Sequence, residues 1–301
     1  MPLATGQVRV GFISWFVDYN CMLLDSSSIE KSRFDLRKEI TFPEEMSVEL
    51  AEMIGILVGD GHLSVLERID NKGSKFTQST VFIAGNCNEQ DYLEHIQRLF
   101  LKLFNVTLTY REDKRSDGVL LVCYSKGIVQ YLSKVCQVPV GRKCAIVKVP
   151  QLIFDSKSVF QMAFLRGLAD TDFSLCFKNK SKKGYAYPVI KGSFRSRFLI
   201  QDLERLFSFF GFIHCTCYGL IRKNNKFGSD VVMHAIYLNG VKNLELWINI
   251  VGFSQPKFQN KILEWRETGQ SIPKKKKKSP GRELNSRCMD SSTHSRDLLI
   301  A

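Results

Sequence analysis

The spacing of apolar residues along the chain predicts an ordered series of helices and antiparallel strands. Pro43 and the N-cap candidate Ser47 precede a segment in which apolar residues from Leu50 to Leu57 recur at helical spacing. Alternating apolar and polar residues then predict strands that turn-like segments separate. After this helix, the predicted elements are two strands, a helix, two strands and a closing helix, at residues 62–69, 75–85, 89–104, 106–113, 118–125 and 127–135.

The second half of the chain repeats this order. Its predicted elements are a helix, two strands, a helix, two strands and a closing helix, at residues 158–172, 174–180, 185–193, 196–211, 214–223, 230–238 and 240–252. The residues that match across the halves are Asp60 with Asp172, "IAG" at Ile83 with "IKG" at Ile190, "RLF" at Arg98 with "RLF" at Arg205, and Lys143 with Lys257. Because the repeat is far longer than a solenoid unit, we interpret the chain as a pseudo-dimer of two αββαββα units.

This pattern predicts an α+β fold with pseudo-twofold symmetry. We expect an N-terminal extension at residues 1–42, a first repeat at 43–155 and a second repeat at 156–272. The remaining residues, 273–301, form a basic tail that we expect to be disordered.

The net charge of the chain indicates what kind of molecule it binds. The 301 residues carry a formal charge of +13, and the segment from Lys274 to the C-terminus accounts for only part of it, so the body of the protein is itself basic. A basic body favours a polyanionic partner. The nine cysteines are scattered, and no secretory signal or membrane-length apolar run is evident. We therefore expect a soluble, intracellular protein without a membrane partner, whose compartment the sequence leaves open.

Two acids occupy an unusual place, the C-terminal ends of the first helix of each repeat. Asp60 is the last residue but one of "MIGILVGDG", and Asp172 is the last residue of "FLRGLADTD". A helix C-terminus already carries partial negative charge, so a carboxylate there is unfavourable unless a cation lies nearby. Hard divalent cations with oxygen ligands, Mg²⁺ above all, meet that need. Paired carboxylates and a metal in a basic protein suit phosphodiester hydrolysis. Asp170 is interpreted as a structural acid.

Small residues in both helices predict that the helices pack closely. A glycine inside a helix costs roughly 1 kcal/mol relative to alanine. Gly55 and Gly59 lie on one face of the first helix, and Ala163 and Gly167 offer a matching face on the second. We expect these two faces to pack together and to bring Asp60 and Asp172 side by side.

The segments "MIGILVGDG" and "LRGLADTDF" resemble the two copies of the LAGLIDADG motif, and residues 43–265 resemble a single-chain, two-motif LAGLIDADG homing endonuclease of the archaeal or rRNA-intron-encoded type. The resemblance implies two antiparallel four-stranded sheets that form a DNA-binding saddle along the major groove. It also implies sequence-specific cutting of both strands across the minor groove, which leaves 3′ overhangs and promotes intron mobility. One departure from the motif is Phe173, which replaces its final glycine.

The resemblance also implies a set of metal-binding and catalytic residues. Asp60 and Asp172, with the carbonyl groups of Gly59 and Thr171, would bind the metal. Mg²⁺ is the implied cofactor, Mn²⁺ would substitute, and Ca²⁺ would bind without supporting efficient cleavage. Lys143 and Lys257, which follow the closing helices of their repeats, would be catalytic lysines near the scissile phosphate.

Polar and basic positions on the predicted strands are candidates for DNA contact, with basic groups on phosphates and polar groups on base edges. The candidates are Lys75, Thr77, Arg111, Arg115, Ser174, Lys178, Lys180, Arg195, Arg197, Arg222 and Lys223. Because the second repeat has more positive strand residues, we expect a long, non-palindromic duplex target.

Two other functions remain open at this point. An RNA-splicing maturase on the same fold would take intron RNA as a partner. A DNA-binding regulator that no longer cleaves is less favoured, because both acids are present. In each case the pseudo-dimer is expected to act as a monomer that requires no protein partner.

Overall fold

The structure is a computed structural model that describes residues 22–71, 73–112, 116–179, 186–223 and 230–269. Two of the predicted DNA contacts, Arg115 and Lys180, lie outside the described residues, as does the basic tail. Among the described residues, no helix is both long and apolar enough to cross a membrane.

The first half contains the predicted series of elements. They are α2 (Val48–Gly59), β1 (Gly61–Ile69), β2 (Lys75–Asn86), α3 (Gln90–Phe104), β3 (Thr109–Glu112), β4 (Gly118–Tyr124) and α4 (Lys126–Gln130), and α4 continues as a π-helical turn at Tyr131–Val135. The predicted N-cap of α2 is confirmed, because Leu50 N donates to Ser47 Oγ at 3.1 Å. Ser125 caps α4 in the same way through Ile128 N, at 3.0 Å.

The second half has the same order. Its elements are α6 (Ser158–Asp172), β5 (Phe173–Asn179), β6 (Ala186–Phe194), α7 (Arg197–Phe209), β7 (His214–Arg222), β8 (Val231–Asn239) and α8 (Val241–Ile250). Three helices were not predicted: α1 (Arg33–Arg37), α5 (Gln151–Phe154) and α9 (Pro256–Thr268). The first two are only five and four residues long, too short for a periodic apolar pattern to emerge.

Each half forms one four-stranded antiparallel sheet, which confirms the predicted α+β class. The strand orders are β1-β2-β4-β3 and β5-β6-β8-β7, so the two halves share one topology. The two triplets "RLF" occupy corresponding places, since α3 and α7 bury the same face. The buried residues at these matching positions are Leu93, Ile96 and Phe100 on α3 and Ile200, Leu203 and Phe207 on α7.

The match between "IAG" and "IKG" is wrong by two residues. Ile83 pairs with Gly61 directly after the first helix, whereas Ile190 pairs with Leu175, two residues further into its strand. The position that corresponds to Ile83 is therefore Gly192, which pairs with Phe173. A slip of two residues keeps every side chain on the same face of the sheet, so the apolar pattern does not reveal it.

Helices α2 and α6 lie side by side at the centre of the molecule, and nearly all of α2 is buried. Their apolar residues belong to one cluster that also includes the inner faces of both sheets. The sequence predicted this arrangement from the glycines of the two helices.

The described part of the N-terminal extension packs against the first half. Leu23 forms a bridge with Glu45, and α1 carries the fully buried Asp35. Asp35 Oδ2 accepts a hydrogen bond from Gly127 N at 3.0 Å, and its Oδ1 accepts one from the Ser125 hydroxyl at 2.5 Å. The extension thus completes the N-terminal cap of α4.

Candidate metal and nucleic-acid site

The two central helices touch backbone to backbone, as the small residues predicted. A Cβ atom added to Gly55 would lie 2.2 Å from the carbonyl oxygen of Phe164, and one added to Gly167 would lie 2.1 Å from that of Glu52. Real Cβ atoms do not approach so closely, so only glycine fits at either position. Ala163 is also buried in this interface. The glycine cost in helix propensity is therefore offset by close packing between the halves.

The same contact brings the two predicted metal-binding segments together. A Cβ atom added to Gly59 would lie 3.2 Å from Oδ2 of Asp172 and 2.1 Å from Oγ1 of Thr171. The Asp172 carboxylate therefore lies against the backbone that directly precedes Asp60. Both acids are half-buried, and each is followed by the first strand of its sheet. The helix ends meet where the two sheets begin.

Lys143 lies at the end of α2. Its Nζ donates to the carbonyl oxygens of Leu57, Val58 and Gly59, with distances of 2.8 Å to Val58 and 2.9 Å to Gly59. The side chain is buried. These three carbonyl groups have no partner within the helix, so the ammonium group satisfies them and offsets the negative end of the helix dipole. The Gly59 carbonyl, a predicted metal ligand, is one of its acceptors.

Lys257 does not occupy the corresponding place, so the predicted equivalence with Lys143 is not reproduced. Its Nζ donates to Oε1 of Glu89 at 3.0 Å, and Glu89 lies at the start of α3 in the other half. Another lysine of α9, Lys261, contacts β5, since its Nζ donates to the carbonyl oxygen of Leu175 at 3.4 Å. The matching was unreliable because the two closing segments differ in structure, an irregular segment after α4 and helix α9 after α8.

Phe173 gives the second helix end a different form. After α2, a Cβ atom on Gly61 would lie 2.5 Å from Cα of Leu57, so the chain turns back tightly on its own helix. After α6, Phe173 is extended and packs into the core of the second half, with its ring centroid 6.0 Å from that of Trp247 and 5.9 Å from that of Phe194. The glycine of the first motif and the phenylalanine of the second therefore serve different local structures.

The strand register shows which side chains of the first sheet point towards the helices and which lie on its other face, here called the open face. Val81 and Ile83 face the helices, and Lys75 and Thr77 share their side of β2. The prediction that Lys75 and Thr77 contact DNA from the open face is therefore not supported by the register. The residues on the open face include Arg68, Gln78, Arg111 and Tyr124, and of these only Arg111 was predicted.

The open face of the second sheet carries three of its predicted residues, Ser174, Lys178 and Arg222. It also carries Lys191, which the sequence analysis missed and whose Nζ lies 5.7 Å from the centre of the Tyr237 ring. In the described strand residues of both sheets, the register places no aspartate or glutamate on an open face. Within these strand residues, both open faces thus carry basic side chains and no acidic ones, and apolar residues such as Phe76 and Phe82 lie among them in the first sheet.

The remaining predicted contacts lie at the ends of elements. Arg195 follows β6, Arg197 is the first residue of α7, and Lys223 follows β7, and all three are exposed. The Arg197 guanidinium lies 5.2 Å from the centre of the Tyr218 ring. These residues flank the second sheet rather than lie within its open face.

A buried polar cluster between the halves was not predicted, apart from the structural role of Asp170. Glu52 on α2 receives hydrogen bonds from Arg166 on α6, while Asp170 accepts one from Ser254 N at 2.9 Å. Burial raises the pKa of Asp170 to about 8, and backbone hydrogen bonds from Ser254 and Gln255 reduce that rise. Because the partners lie up to about 200 residues apart in the chain, no local pattern could have identified them.

Comparisons with known proteins give partial matches. No family model matches the chain. A DNA polymerase of Methanocaldococcus jannaschii is 30% identical over 140 residues, which is 45% of this chain and 8% of that protein. The replication factor C small subunit of the same organism is 26% identical over 254 residues, which is 84% of this chain and 12% of that protein. The chain thus spans a small part of the length of these relatives, whose names describe different activities.

Solved structures of homing endonucleases align with most of the chain. Mesophilic variants of I-DmoI give a TM-score of 0.45 at 14% identity, over 68% of this chain and 95% of that chain. I-SmaMI bound to uncleaved DNA with calcium ions gives 0.48 at 12% identity, over 74% and 90%. The LAGLIDADG homing endonuclease I-LtrWI bound to target DNA gives 0.47 at 16% identity, over 74% and 92%.

Proposed function

We propose that the chain is a sequence-specific DNA endonuclease of the LAGLIDADG homing type, which hydrolyses phosphodiester bonds with a divalent metal ion. The main observation behind this proposal is that the C-terminal ends of α2 and α6, which carry Asp60 and Asp172, meet next to each other. Each of these helix ends leads directly into a sheet whose open face carries basic side chains. Asp172 lies against the backbone that precedes Asp60. A site that combines paired carboxylates with a polyanion-binding surface suits metal-assisted cutting of a nucleic acid.

The donor set fits a hard divalent cation. The candidate ligands are carboxylate oxygens of Asp60 and Asp172 and main-chain carbonyl oxygens of Gly59 and Thr171, all oxygen donors of the kind that Mg²⁺ prefers. Within the described residues no group of three or more His, Cys, Asp or Glu side chains could hold a metal. The remaining ligands would therefore come from water and from substrate phosphate. A bound Mg²⁺ would activate water and stabilise the leaving oxygen.

The residues of the chain itself would bind and orient the substrate. The open faces of the two sheets, with Arg68 and Arg111 in one half and Lys178 and Lys191 in the other, would hold phosphates on either side of the cut. Since the two faces carry different side chains, the target would be a non-palindromic duplex. Cutting across the minor groove with 3′ overhangs, and mobility of a host intron, are the finer parts of the same proposal.

The two lysines would act in different ways. Lys143 would hold the end of α2, and through it Asp60, because its ammonium group binds three carbonyl groups of that helix end. Lys257 belongs to the second half and forms an ion pair with Glu89 of the first half. Of the two, Lys143 is the stronger candidate for a contribution to cutting.

A cleavage assay tests the proposed activity. The purified protein is incubated with the rejoined flanks of the host intron, or with a library of randomised long duplexes, in the presence of Mg²⁺, Mn²⁺ or Ca²⁺. We expect double-strand cutting with Mg²⁺ and Mn²⁺ and binding without efficient cutting with Ca²⁺. Asp60→Asn and Asp172→Asn should each abolish double-strand cutting while DNA binding in Ca²⁺ is retained.

The matched control is Asp91→Asn, which changes an exposed acid in the first turn of α3. This variant should cut like the unaltered protein. If Asp60→Asn or Asp172→Asn also cuts at the normal rate, the metal assignment is wrong. If no duplex in the library is either bound or cut, the proposed function itself fails.

A further inference from the structure

The glycine contacts limit how far α2 and α6 can slide along each other. Gly55 approaches the Phe164 carbonyl, and Gly167 approaches the Glu52 carbonyl, with no room for a Cβ atom at either place. Close packing of this kind restricts large shifts, whereas directional contacts beside it hold the helices at one exact axial position.

Glu52 supplies these directional contacts. Its side chain is 4% exposed, and Oε2 accepts hydrogen bonds from Arg166 Nε at 3.0 Å and from Arg166 Nη2 at 2.6 Å. Its Oε1 contacts His95 Nε2 at 2.7 Å and accepts a hydrogen bond from Ser254 Oγ at 2.8 Å. Four directional contacts thus converge on one carboxylate, and two of the three partners come from the second half.

Ser254 also ties the segment after α8 to both central helices. Its hydroxyl contacts Glu52 on α2, and its main-chain N–H donates to Oδ2 of Asp170 on α6 at 2.9 Å. The polar contacts therefore fix three pieces of chain at one level of the interface. That level is close to the acids, since Glu52 precedes Asp60 by eight residues and Arg166 precedes Asp172 by six, about 12 and 9 Å along an α-helix.

We propose that Glu52 and Arg166 are positioning residues that set the axial register of α2 against α6 and thereby hold Asp60 and Asp172 at their working separation. The consequence for cutting rests on the proposed function, whereas the effect on the helix ends does not. A displacement of about 1 Å at reacting groups lowers a rate by about 100-fold. Loss of the pair should therefore reduce cutting without a comparable loss of DNA binding.

The test uses Glu52→Gln, Arg166→Met and the double variant. Each single variant should fold less stably, because it leaves one charged member of the pair without the other, and the double variant should regain thermal stability because no unpaired charge of the pair remains. If the pair sets register, single-turnover cutting at saturating enzyme stays about 100-fold low in the double variant even though its stability recovers. DNA affinity in Ca²⁺ should stay within about threefold in all variants, since the open faces are unchanged.

Amide hydrogen exchange gives a readout independent of activity. We expect faster exchange at the C-terminal ends of α2 and α6 in every folded variant, with α7 unchanged, since a register change is local to the interface. The matched control is the exposed pair Glu245 and Arg266, joined at 2.7 Å within the second half. Glu245→Gln with Arg266→Met should alter neither exchange at the helix ends nor cutting.

Two results would overturn the inference. One is unchanged exchange at both helix ends in the variants. The other is cutting that recovers together with stability in the double variant, which would make the pair a purely stabilising contact. If a single variant does not fold, Arg166→Lys, which keeps the charge but not the two-nitrogen contact, is measured in its place. Faster exchange at the helix ends in a protein that cuts no DNA would support the register role and refute the proposed function.

Discussion

At the scale of single residues, Lys143 and Glu52 show how buried charged groups near the centre of the molecule are stabilised by hydrogen-bond partners. Lys143 satisfies three carbonyl groups at the end of α2, next to the acid at position 60. Glu52 is held as a carboxylate in the interior by the Arg166 guanidinium and two further contacts. In both cases a buried ionic group is acceptable because directional partners surround it.

Replacement of Lys143 should be costly in the absence of any substrate. Lys143→Met leaves buried carbonyl groups without a donor, so we expect the free energy of unfolding to fall by about 1–3 kcal/mol. Lys257→Met removes a partly exposed pair with Glu89 and should cost less than about 1 kcal/mol. Urea unfolding of the two variants measures both values. An equal decrease in the free energy of unfolding for both variants would show that the two lysines have equivalent structural roles.

The ionisation of Glu52 should make the free energy of unfolding depend on pH in the acid range. Burial alone would raise the pKa of Glu52, but hydrogen bonds from His95 and Arg166 and the charge of Arg166 outweigh it and lower the pKa from 4.5 to about 2. The unfolded state then binds more protons between these values, so the contribution of Glu52 to stability is complete above pH 4.5 and is lost as the pH falls towards 2. Unfolding free energies of the unaltered protein and Glu52→Gln, measured from pH 2 to 6, should converge as the pH falls. Parallel curves would contradict the ion pair.

At the scale of elements, the structure shows which features a local pattern can predict. The helices of the two repeats, the N-cap at Ser47 and the two glycine faces follow from spacing within a few residues, and the structure confirms them. The pairing of Glu52 with Arg166 joins residues 114 apart and could not be found in the same way. The alignment of the repeats in β2 and β6 was wrong by two residues, because such a slip conserves the face of every side chain.

The glycine at position 167 offers a test at this scale. In an ordinary helix, Gly→Ala stabilises by about 1 kcal/mol. At Gly167 the added Cβ would lie 2.1 Å from a main-chain oxygen of α2, so we expect Gly167→Ala to destabilise by about 1–3 kcal/mol or more. Val159→Ala, at an exposed position on the same helix, should change stability little. A stabilising Gly167→Ala would show that the helices are further apart than described.

At the scale of the whole molecule, each half carries positive side chains on the open face of its sheet. Register, and not charge alone, decides which basic residues lie on these faces. Lys191 lies on the open face of the second sheet, while Lys75 shares the side of Val81 and Ile83. The sequence identified alternation in β2 but not which of its two sides faces the helices, because Phe76, Phe82, Val81 and Ile83 make both sides apolar in part.

Basic residues on the open faces should contribute to DNA binding, and basic residues on the helix-facing side of the sheets should not. Lys191→Ala and Arg111→Ala should each weaken binding and reduce the slope of log K against log salt by about 0.9, the value for one phosphate contact on B-DNA. Lys75→Ala should leave both affinity and slope nearly unchanged. Affinities measured in Ca²⁺ over a series of salt concentrations give these slopes. A larger effect for Lys75 than for Lys191 would show that the nucleic acid lies on the other side of the sheet.

The contact between Glu52 and Arg166 breaks the pseudo-twofold symmetry of the molecule. When Asp60 is aligned with Asp172, position 52 corresponds to Phe164 and position 166 to Ile54, so neither half contains both members of the pair. A symmetric dimer built from two copies of the first half would bury two glutamates and supply no arginine to either. The ion pair therefore requires two different halves, each of which supplies one of its members.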